Sequence, residues 1–187
     1  MHEDPDLLRQ FVHENSQDAF RELVRRRIGL VYGSALRQVG GDVQLAKEVA
    51  QDVFLGLARD SSALAKRRSI LGWLYTCTRF AAAKAQRAKA RRIKYETADE
   101  TTEHTMSPPN NLIQWSEVRV VIDASMHELK DADREALLLR FFEGYSLKQL
   151  GEATGLVENA ARMRVDRALE KLRVKLWVRL KGFGEWR

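Results

Sequence analysis

Apolar residues recur every three to four positions along most of the chain, and no stretch alternates strictly between apolar and polar. The pattern therefore predicts helices throughout and no strand. Asp4-Pro5 opens a short helix to about Glu14. Ser16 caps a second, in which Phe20, Leu23, Val24, Ile28, Val31, Ala35 and Val39 form one stripe, and Gly40-Gly41 ends it. Asp42 caps a third, with Leu45, Val49, Val53 and Leu57 at four-residue spacing. A polar loop from Asp60 to Ser69 leads into a long helix from Ile70 to about Tyr95. Its expected buried stripe is Ile70, Trp73, Leu74, Cys77, Ala81, Ala85 and Ala88, which narrows to alanine as basic residues accumulate.

Residues 96–111 are polar and acidic, contain Pro108-Pro109 and have almost nothing to bury, so they read as a flexible linker. Beyond it, Trp115, Val118, Ile122, Met126 and Leu129 mark a helix, and Asp131 or Asp133 opens another with Leu137, Leu138, Phe141 and Phe142 inward and Gly144 at its end. Ser146 and Gln149 have capping-box spacing and start a short helix that stops at Thr154-Gly155. A last helix runs from about Glu158 to Lys181 with Ala161, Val165, Ala168, Leu172 and Leu176 on one side. The fold class is all-α: two small helical domains, 1–95 and 112–187, joined by the linker, the second carrying a helix-turn-helix. Length alone, 187 residues, left one domain or two equally open.

Composition excludes some classes. One cysteine, Cys77, cannot build a disulfide scaffold, and no apolar run reaches membrane-spanning length. The acidic start, Met1 to Gln10, lacks the form of a signal peptide, which with the lone thiol places the protein in the cytoplasm. The net charge of +6 is modest, but its distribution is not. Residues 1–60 hold 8 basic and 10 acidic side chains, 61–95 hold 10 basic and none acidic, and 96–115 hold 4 acidic and none basic. Residues 116–161 then carry 5 basic against 9 acidic, and 162–187 carry 9 against 3. Both halves end in a basic tract, which suggests two contacts on one polyanion.

The histidines are scattered, no cluster has metal-ligand spacing, and there is no glycine-rich phosphate loop, so no catalytic constellation, metal or cofactor is expected. Cys77 falls on the buried stripe and reads as core. The segment from Ser146 to about Lys175 is a helix-turn-helix whose second helix can lie in a DNA major groove. Asn159, Arg162 and Met163 stand near its start, where base edges are reached, while Arg164, Arg167, Lys171 and Lys175 suit phosphates. In the third helix Glu48, Gln51, Asp52 and Leu55 share the face opposite the core stripe, which puts a leucine among acids.

Taken in order, these segments resemble a bacterial RNA polymerase sigma factor of the extracytoplasmic-function type. Glu48-Val49-Ala50-Gln51-Asp52-Val53-Phe54-Leu55 is similar to that family's core-polymerase-binding helix. Gly72-Trp73-Leu74-Tyr75 with Arg79 resembles its promoter-melting helix, and the run from Leu137 to Ser146 resembles the lead-in to its second DNA-binding motif. The resemblance implies a non-enzymatic initiation factor whose first domain binds the clamp helices of the polymerase largest subunit through Glu48, Gln51, Asp52 and Leu55, with Phe54 supporting that helix from beneath. It also implies single-stranded reading of a minus-ten element through Lys66, Arg67, Arg68, Arg79, Phe80, Lys84 and Arg87. Duplex reading of a minus-thirty-five element falls to Ser146, Lys148, Asn159, Arg162, Met163, Arg164, Arg167 and Lys171. Promoter DNA, core polymerase and an anti-sigma factor are the implied partners, with no membrane insertion.

The chain departs from that family in two places. Phe80 stands where an asparagine is usual, and Val157 and Ala160 stand where a serine and a threonine usually open the recognition helix. The competing reading from the C-terminal motif alone is a stand-alone helix-turn-helix regulator, which binds duplex tightly without polymerase. In the free protein the acids from Glu96 to Glu103 are also expected to fold back over the basic tract.

Overall fold

Three of the predicted helix starts, at Ser16, Asp42 and Ser146, rest on a local side-chain hydrogen bond that the sequence spells out. In the computed structural model, which describes residues 4–96 and 115–181, the Ser16 hydroxyl accepts from the Ala19 amide at 3.2 Å and Asp42 accepts from the Leu45 amide at 3.0 Å. Five helices make the first unit: α1 (Asp4–Glu14), α2 (Gln17–Gln38), α3 (Val43–Arg59), α4 (Ser61–Leu64) and α5 (Leu71–Glu96). Their core joins Leu8, Leu23, Val31, Val53, Leu57, Ile70 and Leu74. Next to it Ala35, Ala46, Val49 and Ala82 let α2, α3 and α5 approach closely. The loop expected from Asp60 to Ser69 is partly helical: α4 buries Leu64, and Ala65 follows it inward. Ile28, expected in the α2 stripe, is 41% exposed.

The second unit is α6 (Trp115–His127), α7 (Asp131–Leu137), a π-helical turn (Leu138–Phe142), α8 (Leu147–Thr154) and α9 (Glu158–Lys181). The π turn corrects one expectation. Leu138 and Leu139 point inward, but Phe141 and Phe142 are 59% and 58% exposed. The Glu143 amide bonds back to the Leu138 carbonyl, five residues earlier, so each turn holds an extra residue and the apolar register shifts outward. The Arg140 guanidinium donates to the Tyr145 carbonyl at 2.7 Å and closes that turn. No strand occurs among the described residues. The linker expected over 96–111, apart from Glu96 at the end of α5, and the tail 182–187 lie outside the described residues.

α5 is buried on two faces. Leu74, with Ile70 just ahead of the helix, enters the first core, as predicted, whereas Leu71 and Tyr75 join the second core with Met126, Leu137 and Leu138. Ala88, at the basic end of the expected stripe, is exposed.

Candidate nucleic-acid and protein interfaces

The α3 face follows from helical period alone. Val49, Val53, Phe54 and Leu57 are buried, which turns Glu48, Gln51, Asp52 and Leu55 to solvent, Leu55 at 60% exposure. The Gln44 side chain donates to Glu48 at 3.5 Å and extends the polar border of this patch.

On α5 the exposed residues Phe80, Lys84, Arg87 and Arg91 recur at i, i+4, i+7 and i+11, so an aromatic ring and three cations lie along one stripe. Phe80 is 68% exposed. Arg91 belongs to this stripe by spacing, although it lies outside the Gly72–Arg79 motif. Arg79 lies about 100° around the helix from Phe80 and is one of the charges that depress the His127 pKa. Lys89 is held elsewhere, with its ammonium 2.7 Å from Asp42, the cap of α3. Together with the backbone bond from Leu45, that contact lowers the Asp42 pKa. Lys66, Arg67 and Arg68 are exposed on the turn between α4 and α5. Cys77 packs half-buried against the first core, and burial pushes its thiol pKa up.

The helix-turn-helix is built by two glycines with different tasks. Gly155 takes φ +73°, which ends α8 in the left-handed region. Gly151 is needed for space, because a Cβ there would stand 2.5 Å from the Leu156 carbonyl oxygen. The Ser146 hydroxyl and the Gln149 side chain complete the capping box at the other end of α8, so the Ser146 hydroxyl is engaged in structure. Lys148 is exposed.

On α9, Ala161, Val165 and Ala168 pack inward. The opposite face carries Asn159, Met163 and Asp166, flanked by the exposed Arg162 and Arg167. Glu158 and Asp166 are exposed as well, and helical geometry places Asp166 in the outward row. Two expected phosphate contacts are placed otherwise. Arg164 is half-buried in a cleft of about 480 Å³ that Arg67, Arg68, Trp73 and Glu135 also line. The Lys171 ammonium lies 2.6 Å from Asp133. Farther along, Glu128 is paired with Lys175 at 2.9 Å and with Arg179, which hold its pKa at about 2.

An apolar hollow of about 230 Å³ lies beside these surfaces, lined by Ile122, Met126, Phe141, Phe142 and Leu169 among others. Among the described residues no group of three His, Cys, Asp or Glu side chains could hold a metal ion. None of their helices is long and apolar enough to cross a membrane.

Comparison with known proteins matches the two units separately. Residues 23–92 match the family model for sigma-70 region 2, and residues 125–174 match that for sigma-70, region 4. The RNA polymerase sigma factor CarQ of Myxococcus xanthus is 31% identical over 160 residues, covering 86% of this chain and 90% of the relative. The ECF RNA polymerase sigma factor SigK of Mycobacterium sp. (strain KMS) is 32% identical over 174 residues, covering 86% of each. Among solved structures, CnrH in complex with the cytosolic domain of CnrY aligns at a TM-score of 0.42 and 22% identity, over 94% of this chain and 97% of that one.

Proposed function

Because the chain belongs to the sigma-70 family of RNA polymerase sigma factors, in its extracytoplasmic-function branch, we propose that it binds core polymerase in the cytoplasm and directs it to a specific promoter set. The observation that carries this reading is the α3 patch, where Leu55 lies exposed beside Glu48, Gln51 and Asp52. A stand-alone DNA-binding regulator has no use for it, whereas a factor that rides on the polymerase clamp helices needs such an apolar anchor inside a polar border.

Residues 1–95 then act on the minus-ten element. A strand separated from its partner offers base faces and phosphates, which suit the Phe80 ring and the cations of Lys66, Arg67, Arg68, Arg79, Lys84 and Arg87. Residues 112–187 act on the minus-thirty-five element as duplex. Asn159, Arg162 and Met163 reach base edges, and Lys148, Arg164 and Arg167 serve phosphates. Each bidentate base contact supplies roughly 1–3 kcal/mol of discrimination. Phe80 cannot hydrogen-bond a base, so stacking is its role here. An anti-sigma factor that covers both domains completes the proposal and rests on family membership. No step is catalytic: binding energy from polymerase and two DNA sites offsets unstacking, which costs a few kcal/mol per flipped base.

Reconstitution tests the reading. The purified chain with core polymerase should start transcription from a defined subset of a genomic promoter library, and mapped start sites should share two spaced elements. Tight specific duplex binding by the chain alone, with no transcription when core polymerase is added, would establish the stand-alone regulator instead.

A further inference from the structure

The outward row of α9 carries an acid that nothing within the protein explains. Three acids lie on this helix: Glu158, Asp166 and Glu170. Glu158 stands in the first turn, where the positive end of the helix dipole favours a carboxylate. Glu170 accepts from Arg173 at 3.0 Å. Asp133 and Glu128, which approach α9 from other helices, are engaged with Lys171, Lys175 and Arg179. Asp166 is exposed two turns into the helix and has no hydrogen bond or ion pair among the described residues, although Arg162 stands one turn before it.

Its place is central on the surface offered to DNA. Ala161, Val165 and Ala168 define the inward face, and Asn159, Met163 and Asp166, at i, i+4 and i+7, run down the opposite side between Arg162 and Arg167. With a rise of about 1.5 Å per residue the row is about 10 Å long, or about three base-pair steps of about 3.4 Å. A carboxylate there is repelled by the phosphates that the flanking arginines attract. It gains only against a hydrogen-bond donor, because an ionised carboxylate accepts and cannot donate. In the major groove the donors are the amino groups of cytosine and adenine, whereas guanine and thymine present acceptors. Adenine also sets its N7 acceptor beside the amino group, where it repels the second carboxylate oxygen, and cytosine has no such neighbour. We propose that Asp166 is a specificity-determining residue of the recognition helix, whose carboxylate accepts from the N4 amino group of a cytosine about three base pairs from the base that Asn159 reads. Asp166 takes this role on the sigma-factor reading, in which α9 lies in promoter duplex.

Selection from a randomised duplex library, by the full chain alone and with core polymerase, tests this role. The parent should select cytosine at one position. Asp166→Ala, which alters an exposed side chain, should lower that preference by about 5- to 100-fold and leave the other positions as they were. Asp166→Asn should move the preference to adenine, since an amide pairs with N6 and N7 together. Asn159→Ala should relax a different position, about three base pairs away, which fixes the register. Unchanged base preference in Asp166→Ala, whatever its affinity, would overturn the assignment and leave the carboxylate a repulsive group only. A cytosine preference that depends on Asp166, in a chain that supports no transcription with core polymerase, would overturn the sigma reading and leave the role of Asp166 standing. No sequence selection under either condition would overturn both.

Discussion

Alanine in place of glycine inside a helix usually stabilises, and two glycines of this chain should respond with opposite sign. Gly29 lies in the interior of α2, outside the left-handed region, with nothing within 4 Å of a built Cβ. Gly29→Ala should therefore gain the ordinary helix-propensity difference, about 0.5–1 kcal/mol. Gly151 occupies the interior of α8, where the same propensity gain of about 1 kcal/mol is available. There, however, the new Cβ would stand 2.5 Å from the Leu156 carbonyl oxygen, a backbone atom that no rotamer change can move. Opening that contact means displacing the turn into α9, and overpacking of this kind costs about 1–3 kcal/mol. The balance for Gly151→Ala is a net loss of up to about 2 kcal/mol, or a fall of up to roughly 16 °C in the melting midpoint of a domain this size. Thermal unfolding by far-ultraviolet circular dichroism reads both variants, and duplex binding should weaken in Gly151→Ala alone because α9 is displaced. If Gly151→Ala melted at or above the parent temperature, the steric account of the helix-turn-helix turn would be wrong.

Leu55→Ala should leave the melting midpoint unchanged, since the side chain is 60% exposed, yet weaken core-polymerase binding in a fluorescence competition assay. Covering three-fifths of a leucine is worth about 1–2 kcal/mol, so the loss should be about 5- to 30-fold. His127 should make stability pH-dependent, because burial, with Arg79 and Arg134, holds its pKa at about 4. A base depressed in the folded chain favours its neutral form there. Its contribution is complete above the free value of 6.5 and is lost as pH falls from there towards 4. Denaturant midpoints at pH 7, 6 and 5 should fall less steeply in His127→Gln than in the parent, and identical slopes would refute this placement of the ring.

What was legible in the sequence was local. The caps at Ser16, Asp42 and Ser146 and the left-handed glycines Gly40, Gly144 and Gly155 depend on a few neighbouring residues and lie where the pattern puts them. The α3 surface residues were legible for the same reason, because one buried stripe fixes the opposite face. Contacts between elements were not. Tyr75 and Leu71 look like the dry side of a surface helix until the second unit covers them. Phe141 and Phe142 look like core because the count assumes 3.6 residues per turn, which the π turn breaks. Motifs marked Arg68 and Arg164 as DNA contacts, but only the tertiary arrangement places both in one cleft.

The ion pairs along α9 bear on how salt should act on this protein. Nine cations fall between Arg162 and Arg187, and a simple count assigns all of them to the phosphate backbone. Yet Lys171 is paired with Asp133 and Arg173 with Glu170, while Lys175 and Arg179 share the single charge of Glu128. Groups already paired within the protein displace few condensed counterions when DNA arrives. Three carboxylates offset three of the nine charges, so counterion release should involve about six of them, Arg162, Arg164, Arg167 and Lys181 included. A double-logarithmic plot of duplex affinity against salt should have a slope near −5, at about −0.9 per neutralised phosphate, rather than the value of about −8 that nine free cations imply.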